Sequence, residues 1–231
     1  MELARATWTE LEVGRESWLL VVPIGSTEQH GPHLPLGTDT VIAVELARRL
    51  AERRSDVVVA PSVPYGASGE HAAFPGTMVV RHEVLAELLV ELVRSARDVF
   101  TGSVLVSGHG GNREALSLAE ERCRGEGDAV LVWAPSARGG DAHAGRTETS
   151  LLLAIDHRAV RLDLAQAGCT EPLEVIMPRL RAEGVRPISS NGVLGDPAGA
   201  SAEEGLALLL TMADDLADAV GRRWPRRVPG G

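Results

Sequence analysis

Trp18-Leu-Leu-Val-Val-Pro-Ile24 runs directly into Gly25-Ser-Thr-Glu28-Gln-His30-Gly-Pro-His33-Leu-Pro-Leu-Gly-Thr-Asp39, and these two segments decide how the chain is read. The first is apolar throughout, the pattern of a strand covered on both faces. The second packs two carboxylates and two imidazoles into the loop that follows. In extended backbone Glu28 and His30, two residues apart, project to the same side. Gly31, Pro32, Pro35 and Gly37 forbid regular structure before Asp39, so the chain must turn there. That turn can bring Asp39 back beside Glu28 and His30. Imidazole and carboxylate ligands from one rigid loop suit a divalent cation of the zinc, iron or manganese kind. The expectation is a metal-dependent hydrolase.

Outward from this segment, apolar β-type runs alternate with helical patterns. Residues 40–53 carry Val41, Val44, Ala47 and Leu50 at helical spacing. A short strand is expected at Asp56-Val-Val-Val-Ala-Pro61, and a long amphipathic helix over 83–100 with Leu85, Leu88, Leu89, Leu92 and Val93 on one side. A third strand over 103–107, a helix over 112–124, a fourth strand over 128–134, a helix opening at 148 and a closing helix over 202–220 complete the pattern. This alternation predicts an α/β fold with a mostly parallel sheet covered on both faces. Residues 67–78 and 184–200 read as irregular loops, rich in Gly, Pro and Ser, of the kind that often carry function.

Three polar clusters each follow an expected strand: Glu28, His30 and Asp39; then Gly108-His109-Gly-Gly-Asn112; then Asp141-Ala-His143-Ala-Gly-Arg-Thr-Glu148. In open α/β sheets ligands gather at the carboxyl ends of strands, so the three clusters are expected to meet in one crevice. His109 can supply a third metal ligand. If a helix begins near Gly145, Glu148 lies in its first turn and His143 in the loop before it, and both can face the crevice.

Other residues keep two readings. Asn112 is either the N-cap of the next helix or a substrate contact. His71 either lines the pocket or does not. Asp141 either orients His143 or begins a turn. His33, flanked by prolines, reads as a supporting residue, and His82 and His157 as surface residues. Trp8 and Trp18 read as core or interface positions, and Trp133 as the end of a buried strand.

Composition narrows the functional classes. At 231 residues the chain has room for one well-buried domain, and a single domain over 1–231 is expected. A net charge of −9 disfavours nucleic acid as a partner. All basic side chains are arginine, so lysine-based Schiff-base or P-loop chemistry is excluded. No apolar run approaches the roughly 18 residues of a membrane span, and the N-terminus lacks a signal-peptide core, so a cytoplasmic protein without membrane contact is expected. Cys123 and Cys169 form no close pair and read as reduced residues. The basic, proline-rich stretch 222–231 reads as a frayed terminus.

Taken in order, Glu28-Gln-His30-Gly-Pro-His, Asp39, Gly108-His109-Gly-Gly-Asn112 and His143-Ala-Gly-Arg-Thr-Glu148-Thr-Ser resemble the motifs of the creatininase (creatinine amidohydrolase) family. The resemblance covers nearly the whole chain. It implies a three-layer α/β/α sandwich, two divalent metal ions per subunit (Zn2+, Fe2+ or Mn2+) and a homo-oligomer, commonly a hexamer. It places metal ligands at Glu28, His30, Asp39 and His109, with Asp39 as the bridge, and a catalytic histidine at His143. The family's second motif carries a metal-binding glutamate where this chain has Gly111, and Glu148 is expected to complete the second site and, with His143, to be catalytic. Tyr65-Gly-Ala-Ser-Gly-Glu-His71, Gly139-Gly-Asp-Ala-His-Ala-Gly and Asn191-Gly-Val-Leu-Gly-Asp-Pro resemble the family's peptide-cleaving branch more closely. That branch releases a modified C-terminal Val-Tyr-derived unit from a small precursor peptide, so the substrate implied is a modified precursor peptide. The alternatives are a cyclic-amide or formamide hydrolase of the same family and a non-catalytic metal-binding partner of modifying enzymes. A purely structural zinc site is disfavoured, because neither cysteine lies near the motifs.

Overall fold

In the computed structural model, residues 1–13, 15, 17–135 and 141–225 are described. β1 (Trp18–Ile24), β2 (Val57–Val59), β3 (Phe100–Ser107) and β4 (Val130–Trp133) form a parallel sheet in the order β2-β1-β3-β4. The helices are α1 (Trp8–Val13), α2 (Thr38–Arg53), α3 (His82–Ala96), α4 (Arg113–Gly125), α5 (Arg146–Asp156), α6 (Leu173–Glu183) and α7 (Ala202–Arg223).

The period-two alternation of β1 explains the three layers. Leu19 and Val21 face one side, where they join Ile42, Leu46 and Leu50 of α2, Leu151 and Leu152 of α5, and Leu209, Ala213 and Leu216 of α7. Leu20, Val22 and Ile24 face the other side, against Leu85, Leu89 and Val93 of α3 and Ala115, Leu116 and Ala119 of α4. The run has no polar position because neither face meets water. Each fully buried leucine contributes about 1.5–3 kcal/mol relative to an exposed one. The fold is the α/β/α sandwich that the alternation and the resemblance imply.

Four expectations need correction. The helix expected over 83–100 stops at Ala96, and Phe100 opens β3, where it lies beside Trp18. The apolar periodicity of 85–93 does not extend to Phe100, which pairs with the sheet. α6 has no counterpart in the pattern, because Ile176 is its one buried residue, with Leu173 and Leu180 only partly covered, and it contains Pro178. The stretch from 222 does not begin as a frayed terminus: α7 runs to Arg223, and Trp224 packs over Gly102 and accepts a hydrogen bond from Arg54 on its carbonyl. Residues 226–231 of that stretch lie outside the described residues, as do Gly139 and Gly140 of the third motif. Trp8 is exposed rather than core, whereas Trp133 is buried and donates from its indole nitrogen to Asp215. Cys123 is buried and Cys169 half-buried, and both are free thiols. Among the described residues no helix is long and apolar enough to cross a membrane.

Candidate metal centre

All the polar clusters lie beyond the carboxyl ends of the strands, as the topology demands. The loop after β1 carries Glu28 and His30 and returns to Asp39 in the first turn of α2. The segment after β2 carries His71 on a single 3-10 turn, Gly69–His71. His109 follows β3 directly, and His143 precedes α5, whose first turn holds Glu148. Asn112 fastens three of these loops together. Its carbonyl oxygen accepts from Ala67 N at 2.9 Å and its amide donates to Gly25 O at 3.0 Å and to Ser107 Oγ at 3.4 Å. It makes no side-chain cap to α4, so the N-cap reading is replaced by a bracing one. His33 supports from the side, with Nε2 2.9 Å from Thr149 Oγ1 of α5. Asp141 accepts from the backbone N–H groups of Arg146 and Thr147, and so caps α5 rather than orienting His143. Ala144 stands between His143 and Gly145 with φ of 51°, a left-handed conformation that a non-glycine residue adopts at a cost. That conformation aims its N–H at Glu148 Oε2, 2.6 Å away.

Glu28, His30, Asp39, His71, His109 and His143 are all buried, and Glu148 is partly so. Asp39 sits between two histidines. Its Oδ1 is 3.1 Å from His30 Nε2 and its Oδ2 is 3.2 Å from His109 Nδ1. Glu28 Oε2 is 3.2 Å from His109 Nε2, and Glu28 Oε1 is 3.3 Å from His71 Nε2 and 3.7 Å from His143 Nδ1. Glu148 Oε2 is 3.8 Å from His30 Nε2. Ligand atoms of Glu28, Asp39 and His109 converge within 4.8 Å, as do those of His30, His143 and Glu148, and those of Glu28, His71 and His143. The residues expected from the sequence are therefore neighbours, and His71 joins them. His71 was legible only as a loop histidine of open role. The turn that buries it comes from tertiary packing.

The electrostatics of the cluster favour a cation. Glu28 Oε1, Glu28 Oε2 and Asp39 Oδ2 are buried without a hydrogen-bond partner. Buried carboxylate oxygens normally have one, and a metal ion is the usual substitute. Burial pushes the Glu28 carboxyl up, partly opposed by His109, and lifts Glu148 to about 7. Burial would raise Asp39 too, but His30 and His109 hold it well below the usual carboxylate range. Burial would depress His30, yet Asp39, with Glu148 and Glu28, raises it to about 10. The same opposition, with Glu28 and Asp39 outweighing burial, takes His109 to about 10. His71 is lowered to about 3 and His143 well below the ordinary histidine value, in both cases chiefly by burial. The tautomer of His30 suits ligation. Its Nδ1 lies 3.1 Å from the carbonyl of Glu28, which can only accept, so Nδ1 carries a proton and Nε2 faces Asp39.

Near pH 8 His30 and His109 are protonated in the metal-free protein, and ligation requires them neutral. Metal loading should release about two protons per subunit from these two groups. Titration of the metal-free protein in weak buffer with a pH indicator measures this. Release of none would show that the two imidazoles do not become ligands.

Gly111, the position at which the resemblance implies a glutamate, has no room for a side chain. A Cβ on Gly111 would fall 2.3 Å from His109 Nε2, 2.6 Å from Ala67 O and 2.8 Å from Glu70 Oε1. Glycine is required there, because the backbone carbonyl of Ala67 and the His109 ring already fill the space.

Comparison with known proteins agrees with this geometry. The creatininase family model, described as creatinine amidohydrolase, matches residues 4–220. The chain belongs to the creatininase family. The mycofactocin precursor peptide peptidase of Mycolicibacterium smegmatis is 49% identical over 216 residues, covering 90% of this chain and 87% of that protein. A manganese creatininase structure superposes with a TM-score of 0.78 at 25% identity, covering 97% of this chain and 99% of that one. A mutant creatininase described as of Zn-Zn type superposes with a TM-score of 0.76 at 26% identity, covering 97% and 98%. The protein is a hydrolase of C–N bonds whose buried histidine–carboxylate cluster suits a divalent metal.

Proposed function

We propose that the protein is a metal-dependent peptidase that cleaves the modified C-terminal Val-Tyr-derived unit from the mycofactocin precursor peptide. The similarity to a peptidase of that name over nine-tenths of the chain supports the substrate. One observation carries the chemistry: the two oxygens of Asp39 face different histidines, beside buried oxygens of Glu28 that no hydrogen bond satisfies. In this reading Glu28, Asp39 and His109 hold one divalent cation, and His30, Asp39 and Glu148 hold a second. Zn2+, Fe2+ and Mn2+ all suit these ligands. Such ions act as Lewis acids and lower the pKa of bound water to roughly 7.

The chain's own residues then do three things. Asp39, Glu28 and Glu148 bring negative charge to offset the ions. Ala144 N–H and the first turn of α5 fix the Glu148 carboxylate. His143 carries the proton that the leaving amine needs, since an amide nitrogen does not leave as an anion. Its Nε2 donates to the carbonyl of Gln29 at 2.8 Å, which leaves Nδ1 as the basic nitrogen on the Glu28 side of the cluster. A homo-oligomer, as the resemblance implies, would cover exposed apolar side chains such as Met78, Val79, Val84 and Leu88.

The test is mass spectrometry of the metal-loaded protein incubated with modified and unmodified precursor peptide. The expected result is a shortened peptide and a released small unit from the modified form alone, with both products lost on adding chelator. Cleavage of cyclic amides or formamides with none of the peptide would transfer the assignment to a small-molecule amidohydrolase.

A further inference from the structure

Gln29 lies between the two histidines of the cluster that are not held by Asp39, and its amide has a fixed orientation. Its Oε1 accepts from Gly31 N at 2.9 Å, and its Nε2 donates to Gly192 O at 3.0 Å. The two backbone groups admit one placement of oxygen and nitrogen, so the usual ambiguity of an amide does not arise. The seat is built for this amide: Gly192 has φ of 83°, and a Cβ there would lie 1.9 Å from Gln29 Oε1. The second hydrogen of Nε2 points toward His71 Nδ1, 2.8 Å away. The His143 Nε2 atom, 3.1 Å from the same nitrogen, cannot take it, because its own proton goes to the carbonyl of Gln29.

His71 Nδ1 is therefore an acceptor, and in a neutral imidazole the proton then resides on Nε2. That nitrogen is 3.3 Å from Glu28 Oε1, while Glu28 Oε2 is turned to His109. A protonated ring nitrogen has no lone pair for a metal. The grouping of Glu28, His71 and His143, although it has the composition of a two-histidine, one-carboxylate site, does not serve as one.

We infer that Gln29 locks His71 in its Nε2–H tautomer and that His71 is a positioning residue, whose Nε2–H edge makes an electrostatic contact with Glu28 Oε1 at 3.3 Å, outside hydrogen-bonding geometry, and so biases the other oxygen toward the cation. The inference rests on the reading of Glu28 as a ligand. Partners of this kind set the orientation and basicity of a ligating carboxylate, and their loss typically costs 10–100-fold in metal affinity or activity.

The experiment is chelator competition for zinc by the full-length protein with His71→Leu and His71→Gln, the latter retaining an N–H near the Nε2 position. His71→Leu should weaken zinc by about 10–100-fold while reaching the wild-type stoichiometry at saturation. His71→Gln should recover most of that loss. Unchanged affinity in His71→Leu would overturn the inference. So would a missing equivalent of zinc in both variants at saturation, since that marks His71 as a ligand. Long-range 1H–15N spectra of the wild-type protein with 15N-labelled histidine test the lock without any variant: the proton of His71 should reside on Nε2, and residence on Nδ1 would refute it. If the wild type binds no zinc, the ligand reading of Glu28 has failed, and the spectra still decide the tautomer.

Discussion

Asp39→Asn should lower turnover by at least about 10³-fold, the equivalent of the several kcal/mol that a Lewis acid supplies to such a reaction. The protein should also emerge from gel filtration with at least one fewer metal ion per subunit than wild type. The substitution preserves size and one carbonyl oxygen. It removes the charge, and it replaces one of two oxygens with an NH2 group that cannot ligate. Both oxygens are in use: Oδ1 faces His30 and Oδ2 faces His109, at 3.1 and 3.2 Å. No other described carboxylate spans those two histidines. Glu28 approaches His109 and Glu148 approaches His30, but each serves one side. Loss of Asp39 should therefore weaken both halves, whereas Glu28→Gln or Glu148→Gln should weaken one. Metal analysis and steady-state rates on the same preparations decide this. Full metal content in Asp39→Asn would exclude the bridging role.

Much of this arrangement was legible in the sequence, because local patterns specify it. The uninterrupted apolar run of β1 is what a parallel strand with two covered faces requires, and its two faces do reach separate cores. The prolines and glycines between His30 and Asp39 announce a turn, and it closes to hydrogen-bonding distance. Position relative to a strand end was enough to gather His109 and His143 with them, because the parallel topology puts all such loops on one edge. The roles of Gln29, His71 and Asn112 depend instead on contacts between segments 42 to 163 residues apart. No local periodicity encodes such contacts. Asp141 and Asn112 show the same limit from the other side. Each stands near a helix start, where propensity favours capping, yet Asp141 caps from five residues away and Asn112 does not cap at all. α3 stops at Ala96 rather than at 100, because its leucine stripe ends at Leu92 and the chain beyond is drawn into the sheet at Phe100, a tertiary effect.

His143→Ala should separate chemistry from metal binding more sharply than any other single change. The residue is buried beside His30 and His71, with ring centroids 4.3 and 4.4 Å away, and burial followed by those two imidazoles holds it well below the ordinary histidine pKa. It is thus neutral across the physiological range, with Nε2 committed to the Gln29 carbonyl and Nδ1 free. A neutral imidazole can accept a proton as water attacks and pass it to the departing nitrogen, a role worth about 10²–10⁴-fold in rate. Glu28, His30, Asp39, His109 and Glu148 are untouched by the substitution. The expected result is a fall in kcat of that size, with the wild-type complement of metal and a KM close to that of the wild type. Added imidazole should restore part of the rate, since the truncation leaves room for it. The opposite result is specific. Ligand atoms of His143 lie within 4.8 Å of those of His30 and Glu148. Loss of metal in proportion to loss of rate would make His143 a ligand, and the proton carrier would then have to be sought in Glu148, whose carboxyl is raised to about 7 chiefly by burial.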